Sequence, residues 1–133
     1  MKPYVMYAND RSLTRRLKIG YISPDFREHS VSYFAEPLIA SHDRTKVESF
    51  CYANLLDSDE TTERIKTYSD HWRWIKSRND FDTAKLIYDD QIDILVDWAG
   101  HTKNNRLQVM AYKPAPVQVT WHGHLNTTGL KSI

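Results

Sequence analysis

The near-continuous apolar run Ile92–Val96 has the composition of a strand covered on both faces. Strands of that kind belong to parallel sheets, where each crossover is a helix that packs on the sheet. The rest of the chain repeats the theme. Leu17, Ile19, Tyr21 and Ser23 alternate with Lys18, Gly20 and Ile22, and Ser23-Pro24-Asp25 ends that strand. Residues 46–54, 72–76, 92–98 and 116–123 read as further strands. Between them lie helical patterns over 30–41, 57–71, 79–90 and 105–113. In the first, Val31, Phe34, Leu38 and Ile39 recur at helical spacing. Ser30 or Ser32 is its expected cap, and Pro37 must kink the helix or sit in its first turn. The second opens on acidic residues that complement the helix dipole, and the third carries Phe81, Ala84, Leu86, Ile87 and Tyr88 near one stripe. Pro114 and Pro116 stiffen the approach to the last strand.

Strands alternating with short helices predict an α/β fold: an open, mostly parallel Rossmann-like sheet with helices on both faces, over residues 17–133. Residues 1–16 hold no lasting period and read as a linker or arm. With 133 residues and 41% apolar content, the chain can bury one core.

Charge is balanced, 18 Lys and Arg against 17 Asp and Glu, which gives no electrostatic case for a nucleic-acid partner. The cluster Arg15-Arg16-Lys18 reads as a solvated linker. A single cysteine, Cys51, excludes an internal disulfide and fits a reducing compartment; its apolar run "VESFCYAN" predicts a buried, inert thiol. No segment approaches the roughly 18 apolar residues of a membrane span, and no signal-peptide core is present at the start, so a cytoplasmic protein without a membrane partner is expected.

In an open parallel sheet, ligands bind beyond the carboxyl ends of the strands. Three polar loops should emerge there: "SPDFREHS", "AGHTKNNR" and "WHGHLNTTG". They would bring Asp25, His29, His101, Lys103, Arg106, His122, His124 and the run Asn126-Thr127-Thr128-Gly129 to one rim. Each has two readings. His29, six residues past the first strand, suits a general base or a donor to a sugar or phosphate, and equally a helix cap. His101 follows Gly100, where the chain can turn sharply; it suits a ligand contact, or a turn histidine bonded to a loop carbonyl. "NTTG" offers hydroxyls and amides to sugar hydroxyls, or is a plain turn. Trp98 and Trp121 can floor a pocket or pack in the core. "HGH" at 122–124 lacks a third ligand, so no metal is expected. No GxGxxG follows the first strand and no GxxxxGK[ST] occurs, so the chain has no phosphate loop. Asp25 and Asp97 are only a loose echo of the acids of a receiver-like signalling domain.

The segments "RRLKIGYISPDFREHSVSYFAEPLIASHD", "FCYAN", "IDILVDWAGHTKNNRL" and "KPAPVQVTWHGHLNTTGL" closely resemble the start of the catalytic region of O-linked N-acetylglucosamine transferases. The resemblance is nearest to bacterial homologues and to plant SPINDLY-type O-fucosyltransferases, and runs from Arg15 to Leu130. It implies the N-terminal lobe of a two-lobed GT-B enzyme, usually found behind tetratricopeptide repeats. That enzyme is inverting and metal-independent. It moves a sugar from UDP-GlcNAc or GDP-fucose, a substrate rather than a cofactor, to Ser or Thr of an acceptor protein. By the same resemblance His29 takes the place of the family's catalytic histidine, and Gly100, His101 and Thr102 that of its "GHT" or "GYT" loop. His124, Asn126, Thr127, Thr128 and Gly129 fall in a sugar-facing loop, with Asp25 among the substrate contacts. Where the family has Tyr and Pro in "GYP", this chain has Gly123-His124-Leu125. The C-terminal lobe, whose lysine holds the nucleotide diphosphate, is expected outside this chain, and the isolated chain is expected to be inactive. The alternative is a non-catalytic α/β binding or scaffolding module.

Overall fold

The computed structural model describes residues 2–133. Nine elements alternate along the chain: β1 Leu17–Ser23, α1 Ser32–Ala40, β2 Val47–Ala53, α2 Glu60–Tyr68, β3 His71–Trp74, α3 Asp80–Asp89, β4 Ile94–Asp97, α4 Leu107–Ala111 and β5 Val117–Thr120. All five strands are parallel, in the order β3-β2-β1-β4-β5. β1 therefore lies at the centre, and the chain winds outward from it in both directions.

Strand alternation splits the interior into two cores. Tyr21, Cys51, Ala53 and Val96 face one way and pack with Ala35 and Ile39 of α1 and Ile65 of α2. Ile22, Tyr52 and Leu95, one position along, face the other way, onto Ala84 and Ile87 of α3 and Val109 and Met110 of α4. Cys51 has no exposed surface, as its apolar run implies.

Side-chain caps set the start of two of the four helices, α2 and α3. The Asp59 carboxylate accepts from Thr62 N–H and Asp59 N–H donates to Thr62 Oγ1, a capping box that starts α2. Asn79 accepts from Asp82 N–H and starts α3. α1 differs from expectation. Val31 occupies its N-cap without a side-chain bond, Ser32 lies inside the helix, and its hydroxyl donates to His29 O at 2.7 Å. Pro37 sits within α1, past the first turn. The α3 stripe is narrower than predicted: Thr83, Ala84 and Ile87 are buried, whereas Phe81 lies outside the core and meets Tyr112 edge-on.

Residues 2–16 form no helix or strand but lie against the domain. Tyr4 stacks on Tyr88 at 4.1 Å, and Tyr7 Oη donates to Lys113 O. Arg15 grips Asp93 with two nitrogens at 2.6 and 2.8 Å, while Lys18 N–H and Asn9 Nδ2 donate to the same carboxylate.

Candidate functional site

β1 and β4 are neighbours whose crossovers leave in opposite directions, so a crevice opens between the loops that follow them. A cavity of about 160 Å³ occupies it. Asp25, Arg27, His29 and Val31 contribute from the loop after β1; Thr102, Lys103 and Asn104 from the loop after β4; Gly123 from the loop after β5.

The β1 loop is held from below. Phe26 is fully buried, its carbonyl accepts from Thr62 Oγ1, and Glu28 N–H donates to Asp59, so the cap of α2 also anchors this loop. Asp25 N–H donates to Ser23 Oγ at 2.9 Å, which turns the chain as the strand ends. Within the loop, Val31 N–H donates to His29 Nδ1 at 3.1 Å, and His29 Nε2 faces Asp25 Oδ1 at 3.7 Å. A ring nitrogen that accepts an amide N–H carries no proton of its own, so the neutral ring bears its proton on Nε2.

The β4 loop turns on Asp97. This buried carboxylate accepts from Ala99 N–H, Gly100 N–H and Thr120 Oγ1, and so ties the ends of β4 and β5 together. Gly100 adopts φ +56°, and a Cβ there would lie 2.4 Å from His124 Cβ. At Gly123 a Cβ would fall 2.0 Å from Trp98 O. Two glycines thus allow the β5 loop to lie directly on the β4 loop. Thr102 lines the cavity, and its Oγ1 donates to Ala99 O at 2.7 Å, so the hydroxyl keeps only acceptor capacity.

Of the residues singled out from sequence, Asp25, His29, Thr102 and Lys103 share the cavity, and the others lie elsewhere. His101 Nε2 donates to Thr128 O at 2.8 Å, so it is a tie between loops, and His124 meets it edge-on at 5.8 Å. Asn126 and Thr127 accept N–H bonds within their own turn, up to Gly129, and Thr128 Oγ1 accepts from Leu130 N–H. Trp98 is a core residue stacked on Tyr21, whereas Trp121 stands at the surface; His122 stacks on Phe34. Arg106 leaves the rim altogether. Its guanidinium donates to Asp80, Asn54, Ile75 O, Arg78 O and Thr83, the fixed pattern of a structural staple.

Sequence reasoning missed Arg27, Val31, Asn104 and Gly123 on the cavity wall, and Asp97 beneath it. The signal for Asp97 was present: an acid closing an apolar strand just before a glycine turn is placed to accept that turn's N–H groups. Among the described residues, no group of three or more His, Cys, Asp or Glu is disposed to hold a metal. No helix among them is long and apolar enough to cross a membrane.

A doubly wound parallel sheet with a polar crevice at its switch point, the place where open α/β sheets take ligands, defines an open α/β lobe. The chain belongs to glycosyl transferase family 41, whose profile matches residues 1–133. It is 44% identical, over its whole length, to a probable UDP-N-acetylglucosamine–peptide N-acetylglucosaminyltransferase SPINDLY of Hordeum vulgare, and spans 15% of that protein. It is 37% identical to the UDP-N-acetylglucosamine–peptide N-acetylglucosaminyltransferase of Caenorhabditis elegans, covering 86% of this chain and 10% of that one. A mutant O-GlcNAc transferase of Thermobaculum terrenum superposes with a TM-score of 0.93 at 44% identity, over 99% of this chain and 25% of that chain.

Proposed function

We propose that this chain is the N-terminal, acceptor-side lobe of a two-lobed GT-B enzyme that transfers a sugar from a nucleotide-sugar to Ser or Thr hydroxyls of proteins. The observation that carries the reading is the switch-point cavity, where Asp25 and His29 of one loop meet Thr102 of another. The names of its relatives favour UDP-GlcNAc as donor; GDP-fucose is the competing one. The donor is a substrate, and the chemistry is a direct, inverting displacement that uses no metal or cofactor.

In this mechanism the lobe supplies orientation and hydrogen bonds. His29, with its proton on Nε2, donates to a sugar or phosphate oxygen rather than abstracting a proton. Thr102 offers its hydroxyl lone pairs to the same ligand, and the turn built on Asp97 keeps it in place. The diphosphate is held by a second lobe, so the isolated chain is inactive. The free, buried thiol of Cys51 fits a cytosolic setting.

The test is the full-length parent, incubated with an acceptor peptide and a panel of nucleotide-sugars and read by intact mass. Mass gained from UDP-GlcNAc, and none from the isolated chain, supports the reading. A parent that transfers no sugar from any donor overturns it in favour of a binding module.

A further inference from the structure

On the cavity wall, among the described residues, Asp25 supplies the only carboxylate. Its side chain is 11% exposed, so it is largely enclosed yet still reached from the cavity. The contacts of Oδ1 are long: Arg27 at 3.4 Å and His29 Nε2 at 3.7 Å. Oδ2 accepts no hydrogen bond among the described residues. It is also absent from the sealed, unpartnered polar atoms, which are Trp72 Nε1, Trp98 Nε1, Gln118 Oε1 and Ser132 Oγ. Buried carboxylates in this fold are otherwise saturated: Asp97 accepts three bonds, and Asp93 four. An enclosed carboxylate with an open oxygen stands out against that pattern.

The transfer needs a proton acceptor. His29 is a poor one, because its bond from Val31 leaves the neutral ring's proton on Nε2. Arg27 and Lys103 are cations, and Thr102 already donates its hydroxyl proton to Ala99 O.

We infer that Asp25 is the catalytic base of the transfer, an assignment that rests on the transferase reading above. The acceptor hydroxyl oxygen forms a bond to the sugar's anomeric carbon. The bond from that carbon to the diphosphate oxygen breaks and its electron pair leaves with the nucleoside diphosphate. The hydroxyl proton passes to Oδ2 of Asp25. Oδ1 already faces Arg27 at 3.4 Å and His29 Nε2 at 3.7 Å, so Oδ2 is the oxygen left for the acceptor.

The experiment uses the full-length parent and two matched peptides, one with Ser and one with Cys at the acceptor position. A thiol ionises by itself near neutral pH, so its transfer depends little on a base. Asp25→Asn keeps the shape of the side chain, and only one long hydrogen bond is at stake in folding. For this variant we expect turnover on the Ser peptide to fall at least about a hundredfold, with KM and melting temperature unchanged, and turnover on the Cys peptide to fall less than about tenfold. Asp25→Glu, which returns a carboxylate, is expected to recover part of the Ser activity. An equal loss on both peptides, or a wild-type rate on Ser, overturns the assignment. A wild-type parent inactive with every donor instead removes the transferase reading itself.

Discussion

Val31 N–H donates to Nδ1 of His29 at 3.1 Å, and that one bond sets the tautomer of the histidine on the cavity wall. The loop that leads into α1 thereby also decides what the imidazole presents to the cavity. It presents a donor on Nε2, which lies 3.7 Å from Asp25 Oδ1, beyond hydrogen-bond reach.

In the full-length parent, His29→Ala is expected to lower turnover about a hundredfold, the typical effect of a lost positioned donor. Its side chain is 33% exposed, so water can replace it at Val31 N–H, and stability should change by less than about 1 kcal/mol. His29→Asn separates the two roles, since its amide oxygen can still accept from Val31 while nothing reaches as far as Nε2. Wild-type turnover in His29→Asn would reduce the residue to a helix cap.

Asp93 joins the N-terminal arm to the domain. Burial raises its carboxyl pKa, but the bonds from Arg15, Lys18 N–H and Asn9 outweigh that and hold it below the usual range. A depressed folded pKa contributes stability above the unfolded value, about 3.9, and loses it as pH falls through the folded one. Asp93→Asn is therefore expected to destabilise the fold by about 1–3 kcal/mol at neutral pH. The gap to wild type should close in acid, which urea denaturation at neutral pH and below about pH 4 would measure. An equal gap at both values would contradict the ion-pair account.

Gly123→Ala sets a methyl 2.0 Å from Trp98 O and 2.5 Å from Ala99 N, both backbone atoms that cannot rotate away. The β4 and β5 loops must separate. Stability is expected to fall by about 1–3 kcal/mol, read by chemical denaturation, with donor affinity in the parent falling alongside. A neutral change would show that the β5 loop does not rest on the β4 loop.

Cys51 is fully buried, and burial pushes its thiol well above the ordinary value. A thiol reagent should label the folded protein at least about a hundredfold more slowly than the urea-unfolded chain. Equal rates would place Cys51 at the surface.

The alternation of strands and helices was legible because it depends on local periodicity. Leu17–Ser23 emerges with the bounds its alternation gives; β3 shifts from 72–76 to His71–Trp74, and the remaining elements trim by a few residues, α2 and α3 where the caps Asp59 and Asn79 intervene. The carboxyl-edge loops were legible for the same reason, since a parallel sheet sends every strand's end to one side.

Tertiary structure decided which polar side chains on that edge remain free. Arg106 and Lys103 look alike in sequence, yet Arg106 is consumed by Asn54 and Asp80, 52 and 26 residues away. His101 is tied to Thr128, while Asp25, in a loop of similar polarity, keeps an open oxygen. Residues 2–16, without any period of their own, are fixed by Arg15 reaching Asp93 across 78 residues. Sequence pattern carries the hydrophobic faces, because burial repeats with the pitch of each element. Hydrogen-bond satisfaction does not repeat, and it is set by whichever distant partner the finished fold brings within about 3 Å.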